Sequence, residues 1–246
     1  MYIHRSKLLS QFPDIIFGLS TKIGNAHIDK FSFNLSKSIG DDENIVEKNR
    51  SDFFSELGLN LESVVLQKQI HSARINLIGK YINNLIGDAL ITKIKNLGLA
   101  VSTADCTNIY LYDPIEKVIA AVHSGWVGTE KRILIHTVMK LVNEFSCKPE
   151  NLFVYFGPSI SQRNYEVGRE FKEKFDEKYL KPVGEKYLLD LKQANKDMLV
   201  KLEIPESQIE ISEICNFEDE RFHSYRRDKE HSGRAFGVIA LIGKNE

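Results

Sequence analysis

The segment Ile119–Thr129, which reads IAAVHSGWVGT, decides how the rest of the chain can fold. Its apolar run ends abruptly at His123, and the only tryptophan of the chain, Trp126, follows between Gly125 and Gly128. Such a run is typical of a buried strand, and the glycines indicate that the backbone approaches another group closely at its end. The segment therefore predicts a strand that brings an imidazole to a crowded site.

Two earlier strand-like runs end in a similar way. The apolar run at 99–102 leads to Cys106, and the run at 64–66 leads to His71. Together with His123, these strand ends present two imidazoles and one thiolate, which suit a borderline-soft cation such as Zn²⁺. Three protein ligands leave one coordination position open, as in catalytic zinc sites. The chain has no short metal motif here, so unrelated buried side chains are the competing interpretation.

The same side chains also fit a mechanism without a metal. Cys106 would then be a nucleophile and His123 its base, and the reaction would be the hydrolysis of an amide. A metal site requires His71, whereas a cysteine hydrolase does not. A third interpretation is a metal that only ties the three strands together.

Two known classes of metalloenzyme do not match the sequence. The H-x-E and P-C-x-x-C signature of the zinc nucleobase deaminases is absent. A multicopper oxidase needs a blue-copper centre and a separate histidine-rich cluster, and the chain has only seven histidines.

Two aspartates and a group of arginines are further candidates for the site. Asp88 and Asp105 each stand at the end of a strand-like run, where a carboxylate can orient a ligand imidazole. Near the C-terminus, aromatic residues alternate with arginines, a combination that suits a phosphate group or a nucleoside. These arginines are Arg221, Arg226, Arg227 and Arg234. The competing interpretation is a solvated helix face with one or two ion pairs.

The spacing of strand signals predicts the fold class. Six strand-like runs follow one another closely between residues 64 and 122, and the turn at 113–117 contains a proline that predicts a hairpin. A doubly wound parallel sheet would need a helix between successive strands, so we expect mixed or antiparallel sheets. The prediction is an α/β (α+β) single-domain sandwich over residues 1–246, flanked by helices. Helices are expected after Gly40, over Thr129–Phe145 with Thr129 as the cap, over Arg169–Tyr179, and over Leu191–Leu202.

Composition restricts the class of partner. The 246 residues include 33 basic and 34 acidic side chains, so the chain has no net basic field for nucleic acid. No apolar run approaches the length of a bilayer span, and no signal-peptide apolar region follows the N-terminus. Three irregularly spaced cysteines do not form a disulfide framework. We therefore expect a cytoplasmic protein with small-molecule partners, no nucleic acid and no membrane; the pattern carries no signal for an oligomeric state.

Taken together, the motifs resemble those of the YfiH-like family. The match extends over nearly the whole chain, in the same order. The matching segments are FGLST at 17–21, FNL at 33–35, GDD at 40–42, NR at 49–50, QIHS at 69–72, GDA at 87–89, TADC at 103–106, HSGWVGT at 123–129, GPSI at 157–160, YEVG at 165–168, SYRRD at 224–228 and GR at 233–234.

This resemblance implies a function and a set of roles. The family was long labelled a polyphenol oxidase with a laccase domain and is associated with purine nucleoside metabolism. It implies phosphorolysis of adenosine, inosine, guanosine and methylthioadenosine, deamination of adenosine, and a fold similar to cysteine-dependent deamidase toxins. Zinc would be held by His71, Cys106 and His123, with copper the alternative under the older label. The implied catalytic residues are these three and Asp105, and the implied substrate contacts are Arg50, Asn34, Gln69, Asp88 and Arg226.

Three positions depart from the family pattern. The family usually has arginine at the position of Val127, often has arginine at Lys22, and usually has proline at Asn108. If either lost arginine binds phosphate, phosphorolysis by this member would be weak. Lys22 still supplies a positive charge, although not a bidentate fork.

Overall fold

The structure is a computed structural model that describes residues 1–24 and 30–243. The α-helices within these residues are α1 (Glu43–Glu56), α2 (Trp126–Glu130), α3 (Ile133–Phe145), α4 (Leu191–Lys201) and α5 (Tyr225–Asp228). The strands are β1 (Ile3–His4), β2 (Ile15–Ser20), β3 (Val64–Val65), β4 (Gln67–Lys68), β5 (Ile75–Leu77), β6 (Leu85–Ile86), β7 (Ala89–Thr92), β8 (Gly98–Thr103), β9 (Thr107–Asp113), β10 (Val118–Ser124), β11 (Phe153–Phe156), β12 (Glu166–Val167), β13 (Leu180–Val183), β14 (Lys186–Leu189), β15 (Ile209–Ile211) and β16 (Ala235–Leu241).

Most of these strands belong to two large mixed sheets. The first has the order β1-β2-β16-β8-β3, and the second has the order β15-β11-β9-β10-β7-β5. Neighbouring strands are antiparallel except at the edges, where β3 pairs with β8, β5 with β7, and β15 with β11 in parallel. The predicted hairpin is confirmed, because β9 and β10 pair antiparallel on either side of the turn. Two smaller sheets have the orders β12-β14-β13 and β4-β6.

The main hydrophobic core lies between the two large sheets. On β9, Tyr110 and Tyr112 pack in this core, whereas Ile109 and Leu111 pack on the opposite face of the same sheet. Every residue of β9 and β10 is buried. Burial on both faces explains why these strands have almost continuous apolar sequences rather than alternating ones.

Helices cover the outer faces of both sheets. Leu134 and Val138 of α3 and Leu199 of α4 pack on the sheet that contains β9 and β10. Phe53 and Phe54 of α1 pack on the other sheet. The predicted sandwich of mixed sheets flanked by helices is therefore confirmed. Among the described helices, none has both the length and the apolar character that crossing a bilayer requires.

The helix predicted over Thr129–Phe145 is wrong in its start and in its continuity. α2 already begins at Trp126, and the backbone then turns at Arg132, whose φ is +56°, before α3 begins. Thr129 is not a cap, because its hydroxyl is buried and lies 2.9 Å from Asn195 Nδ2 of α4. This buried polar contact joins α2 to α4.

The helix predicted over Arg169–Tyr179 is also wrong. The segment forms two short 3-10 turns, Arg169–Glu173 and Glu177–Tyr179. Phe171 and Phe175 have helical spacing, and their rings stack with centroids 5.9 Å apart in a small satellite core. The apolar side chains therefore have the predicted spacing, but the backbone hydrogen bonds of the segment are those of 3-10 turns.

Candidate active site

The structure brings His71, Cys106 and His123 together. His71 follows β4, Cys106 lies between β8 and β9, and His123 belongs to β10. Their ligand atoms all lie within 4.8 Å of one another, and Cys106 Sγ is 3.9 Å from His71 Nε2. His123 is buried, Cys106 is half-buried and His71 is exposed, so the site is open on the His71 side.

The donor set fits a zinc ion. Bonds of about 2.0–2.3 Å in a tetrahedral site place neighbouring donors roughly 3.5 Å apart. The three ligand atoms, within 4.8 Å of one another, need to approach by only about 1 Å to reach that spacing. The two imidazole rings are nearly perpendicular, with centroids 4.8 Å apart, so they do not stack across the space between them.

Asp88 holds two of the three ligand residues in place. Its buried carboxylate accepts the backbone N–H of His71 at 3.0 Å, and the same oxygen lies 3.0 Å from His123 Nδ1. The other oxygen accepts the N–H and the hydroxyl of Ser72 at 2.7 and 2.6 Å. Because Nδ1 is bonded to Asp88, His123 presents Nε2 to the site, which is how zinc-bound histidines are commonly oriented.

Two residues of the site have a left-handed backbone. The φ of His71 is +55° and that of Asp105 is +92°, conformations that cost a residue with a side chain about 1–3 kcal/mol each. The first is held by the bonds to Asp88, and the second by the N–H of Arg226, which donates to Asp105 Oδ2 at 2.6 Å. The protein thus stabilises strained backbone where it presents functional side chains.

The charges of the ligand residues depend on one another. Burial raises the pKa of Cys106, but the neighbouring imidazoles of His123 and His71 outweigh it and bring the pKa to about 6. Burial lowers the pKa of His123, but the Cys106 thiolate and Asp88 outweigh it and raise the pKa to about 9. In the metal-free protein, these opposite shifts favour a thiolate on Cys106 and an imidazolium on His123.

Gly125 closes the site from the side of α2. A Cβ at this position would lie 2.9 Å from Cys106 Sγ and 3.1 Å from His71 Cδ2. We expect Gly125→Ala to push these two ligands apart and to lower catalytic turnover about 100-fold, the usual cost of a displacement near 1 Å. Zinc content and turnover of the purified variant test this expectation. Gly79→Ala is the matched control, since a Cβ there would meet open space; equal effects of the two changes would contradict the prediction.

Two of the predicted substrate contacts are occupied by bonds to the protein. Gln69 donates from Nε2 to the Ser102 carbonyl at 2.9 Å and accepts the Ser102 N–H at 2.6 Å. Asn34 is fully buried, and its Oδ1 accepts the N–H groups of Ser36 and Arg234 at 2.9 and 3.0 Å. Gln69 therefore positions the end of β8 before Cys106, and Asn34 positions the start of β16.

Arg50, another predicted substrate contact, is held by contacts with the segment before α1 and with β16. Its Nε donates to the Leu35 carbonyl at 2.7 Å, and its guanidinium lies 5.2 Å from the ring centroid of Phe236. These contacts tie α1 to the sheet that contains β16.

Asp105 differs from Asp88 in having one oxygen free. Its Oδ1 is buried and has no hydrogen-bond partner among the described residues, and the whole residue is only 9% exposed. Burial raises its pKa, and hydrogen bonds from Ser224 and Arg226 oppose that change. Both oxygens of Asp88 accept bonds from the protein, whereas Asp105 keeps one acceptor that no described residue uses.

The arginine-rich segment near the C-terminus contains two kinds of arginine. Arg221 and Arg227 each form an ion pair with an aspartate of the same segment, at 2.6 and 2.8 Å. Arg226 instead lies over the ring of Tyr165, 5.2 Å from its centroid. Only part of the segment therefore faces the site.

Tyr165 lies under Arg226 beside the candidate site, although no sequence pattern predicted a role for it. It is half-buried, and burial together with the nearby negative charges of Cys106 and Asp105 raises its pKa. The only signal in the sequence was its place in the YEVG segment, because no periodic pattern marks a single aromatic residue in a loop.

The three departures from the family pattern lie at different places in the fold. Asn108 Nδ2 donates to the Pro158 carbonyl at 2.9 Å, whereas its Oδ1 is buried without a partner among the described residues. Lys22 lies 3.7 Å from the Asp228 carboxylate, and Val127 lies in α2 directly after the site.

With this geometry established, the chain can be compared with known proteins. Residues 17–242 match the family described as multi-copper polyphenol oxidoreductase laccase. The chain belongs to this YfiH-like family. A purine nucleoside phosphorylase of Bacteroides thetaiotaomicron is 31% identical over 95% of this chain and 94% of the relative. One of Haemophilus influenzae is 36% identical over 85% of this chain and 86% of the relative.

Solved structures of the YfiH-like family have the same fold. YlmD from Geobacillus stearothermophilus has a TM-score of 0.89 at 28% identity and covers 97% of this chain and 94% of its own. The hypothetical protein YfiH from Bacillus licheniformis has a TM-score of 0.86 at 30% identity and covers 92% of both chains.

The family description refers to several copper ions, whereas the described residues of this member provide one group of ligands. That group is His71, Cys106 and His123. A multicopper oxidase requires a second, histidine-rich cluster in addition to its His₂Cys centre. The donor set of the described residues therefore suits a single ion.

Proposed function

We propose that this protein is a zinc-dependent purine nucleoside phosphorylase. The observation that carries the proposal is the group of His71, Cys106 and His123, oriented by Asp88, in a chain whose full-length relatives are named purine nucleoside phosphorylases. The substrates would be adenosine, inosine, guanosine or methylthioadenosine together with phosphate, and adenosine deamination would be a side activity.

In phosphorolysis, an oxygen of phosphate forms a bond to the anomeric carbon of the ribose while the bond from that carbon to the purine nitrogen breaks. The products are ribose 1-phosphate and a purine that takes up a proton. A zinc ion held by the three ligands would polarise a substrate oxygen and stabilise developing negative charge. The protein's own contribution is to orient His71 and His123 through Asp88 and to offer Asp105 Oδ1 as a buried acceptor for a ligand O–H.

The proposed deamination needs a group that carries a proton between water and the purine. Asp88 is unsuited because both of its oxygens already accept bonds from His71, His123 and Ser72. Asp105 is the better candidate, since its Oδ1 has no partner among the described residues.

Turnover of inosine and adenosine tests the proposal, measured with and without phosphate on protein of determined metal content. We expect release of free purine that requires phosphate, stops on chelation and returns when zinc is added back. Stoichiometric zinc without turnover of either nucleoside would contradict the proposal.

A specific observation also supports a second candidate, an amide hydrolase without a metal. Cys106, His123 and Asp88 are arranged as nucleophile, base and orienting carboxylate, and His123 Nδ1 lies 3.0 Å from Asp88. This enzyme would lose activity on alkylation of Cys106 whether or not zinc is present, and it would tolerate His71→Ala. The phosphorylase predicts the opposite in both experiments, because zinc shields the thiolate and needs His71.

A further inference from the structure

Two arginines beside Cys106 form no ion pair with any residue that the structure describes. Arg226 and Arg234 are half-buried, and within residues 1–24 and 30–243 neither has a carboxylate at ion-pair distance. Arg221 and Arg227 in the same segment each have one. A partly desolvated cation without a counter-charge is costly, and an anionic ligand removes that cost.

Both guanidinium groups are held in position by the protein. Arg226 Nη1 donates to the Glu166 carbonyl at 2.9 Å, and the group lies over Tyr165, 5.2 Å from the ring centroid. Arg234 Nη1 donates to the carbonyls of the two preceding residues at 2.6 and 2.9 Å, and the group lies over Tyr225, 5.4 Å from the centroid. A guanidinium has five N–H donors, so each arginine keeps donors for a ligand.

Asp105 lies near both arginines and contributes an acceptor. The Arg226 N–H donates to Asp105 Oδ2 at 2.6 Å, whereas Asp105 Oδ1 is buried without a partner among the described residues. Ala235 pairs with Thr103 across β16 and β8, which places Arg234 beside the turn that carries Asp105 and Cys106. Burial lowers the pKa of Arg234, and the negative charges of Asp105 and Cys106 oppose that shift. The site therefore combines two cations with one acceptor that requires an O–H or N–H donor.

Hydrogen phosphate has the complementary chemistry. Its oxygens accept bidentate bonds from guanidinium groups, and its remaining O–H can donate to a carboxylate. We propose that Arg226, Arg234 and Asp105 form the phosphate subsite beside the candidate metal centre, an inference that rests on the proposed function. A phosphate group attached to a nucleotide has the same chemistry, so the test must separate free phosphate from a 5′-phosphate.

Steady-state kinetics of Arg234→Gln and Arg226→Gln test the assignment. We expect the KM for phosphate to rise about 10- to 100-fold in each variant, as the loss of a charge-assisted hydrogen bond implies. The KM for inosine should change less than about threefold, because the nucleoside does not need these cations. Arg234→Lys should bind phosphate better than Arg234→Gln, because lysine keeps the positive charge but cannot donate two parallel hydrogen bonds. Arg221→Gln, which removes an exposed and already paired arginine, is the matched control and should leave both constants unchanged.

Sulfate separates a built phosphate subsite from a simple cluster of positive charge. At neutral pH it has no O–H to donate, so Asp105 Oδ1 would face a negative oxygen without a hydrogen bond. We therefore expect the inhibition constant of sulfate, measured in competition with phosphate, to be at least about tenfold higher than the KM for phosphate. An inhibition constant for sulfate equal to the KM for phosphate would overturn the role given to Asp105.

Two other results would overturn the subsite. The first is an unchanged KM for phosphate in both glutamine variants of an active enzyme. The second is a loss of inhibition by inosine 5′-monophosphate while the KM for phosphate stays constant, which would show that the arginines bind a 5′-phosphate. If the wild-type enzyme has no phosphate-dependent activity, the proposed function fails separately, and calorimetric binding of inorganic phosphate to wild type and variants still decides the subsite.

Discussion

Replacing Cys106 with serine is expected to lower phosphorolysis about 1000-fold and to release the zinc ion. Serine keeps the size of the side chain but is a poor zinc ligand, because its hydroxyl is not ionised near neutral pH. Losing the several kcal/mol of charge stabilisation that a metal supplies corresponds to a rate decrease of about this size. Metal content and the rate of purine release from inosine should fall together.

Cys215→Ser is the matched control for this experiment. Cys215 is buried, and its sulfur accepts a hydrogen bond from the Ser161 N–H at 3.3 Å. In the described part of the chain, it does not belong to a group of side chains that could hold a metal ion. The control should keep its zinc and its turnover. A Cys106→Ser variant that retains both would show that the thiolate is not a ligand.

Asp88→Asn is expected to weaken zinc binding about 10- to 100-fold and to destabilise the fold. The amide has one acceptor oxygen in place of two, and its NH₂ would face the donors of His71, Ser72 or His123. Leaving a buried donor without an acceptor costs about 1–3 kcal/mol of unfolding free energy. Zinc competition with a chromophoric chelator and chemical denaturation measure the two effects.

The acid dependence of stability provides a second test of Asp88. Burial raises the pKa of this carboxyl, but hydrogen bonds from His123 and Ser72 outweigh it and lower the pKa from 3.8 to about 2. A carboxyl whose pKa is lower in the folded than in the unfolded chain stabilises the fold at pH values above its unfolded pKa. This contribution of about 2 kcal/mol is lost as pH falls from about 4 to about 2. In metal-free protein we expect Asp88→Asn to lack this part of the acid transition.

Asp197→Asn is a suitable control, because its carboxyl also has a pKa of about 2 but is paired with Lys178 at the surface. This control should leave zinc affinity unchanged. If both variants retain wild-type zinc affinity, Asp88 does not orient the ligands.

The strands around the site were predictable because their burial leaves a strong pattern in the sequence. β9 and β10 contain the continuous apolar runs 109–112 and 118–122, since one face packs on the opposite sheet and the other on α3. The abrupt change to His123 and to Cys106 at strand ends marked the candidate ligands. Strand ends are therefore where sequence alone was most informative.

Features that depend on contacts distant in sequence were not predictable. α2 is joined to α4 by the buried contact between Thr129 and Asn195, which are 66 residues apart. The arginines could be grouped from the sequence, but only the structure separates the paired Arg221 and Arg227 from Arg226 and Arg234. Secondary-structure propensity depends on residues that are close in the sequence, whereas these contacts join residues that are close only in the folded protein.

The gradient of exposure across the three ligand residues also sets the route by which an ion enters and leaves. His123 is buried, Cys106 is half-buried and His71 is exposed. If the proposed ion binds here, it would meet His71 first on entering and pass it last on leaving. Its exchange should then depend on the mobility of the short segment 69–72 rather than on opening of the sandwich.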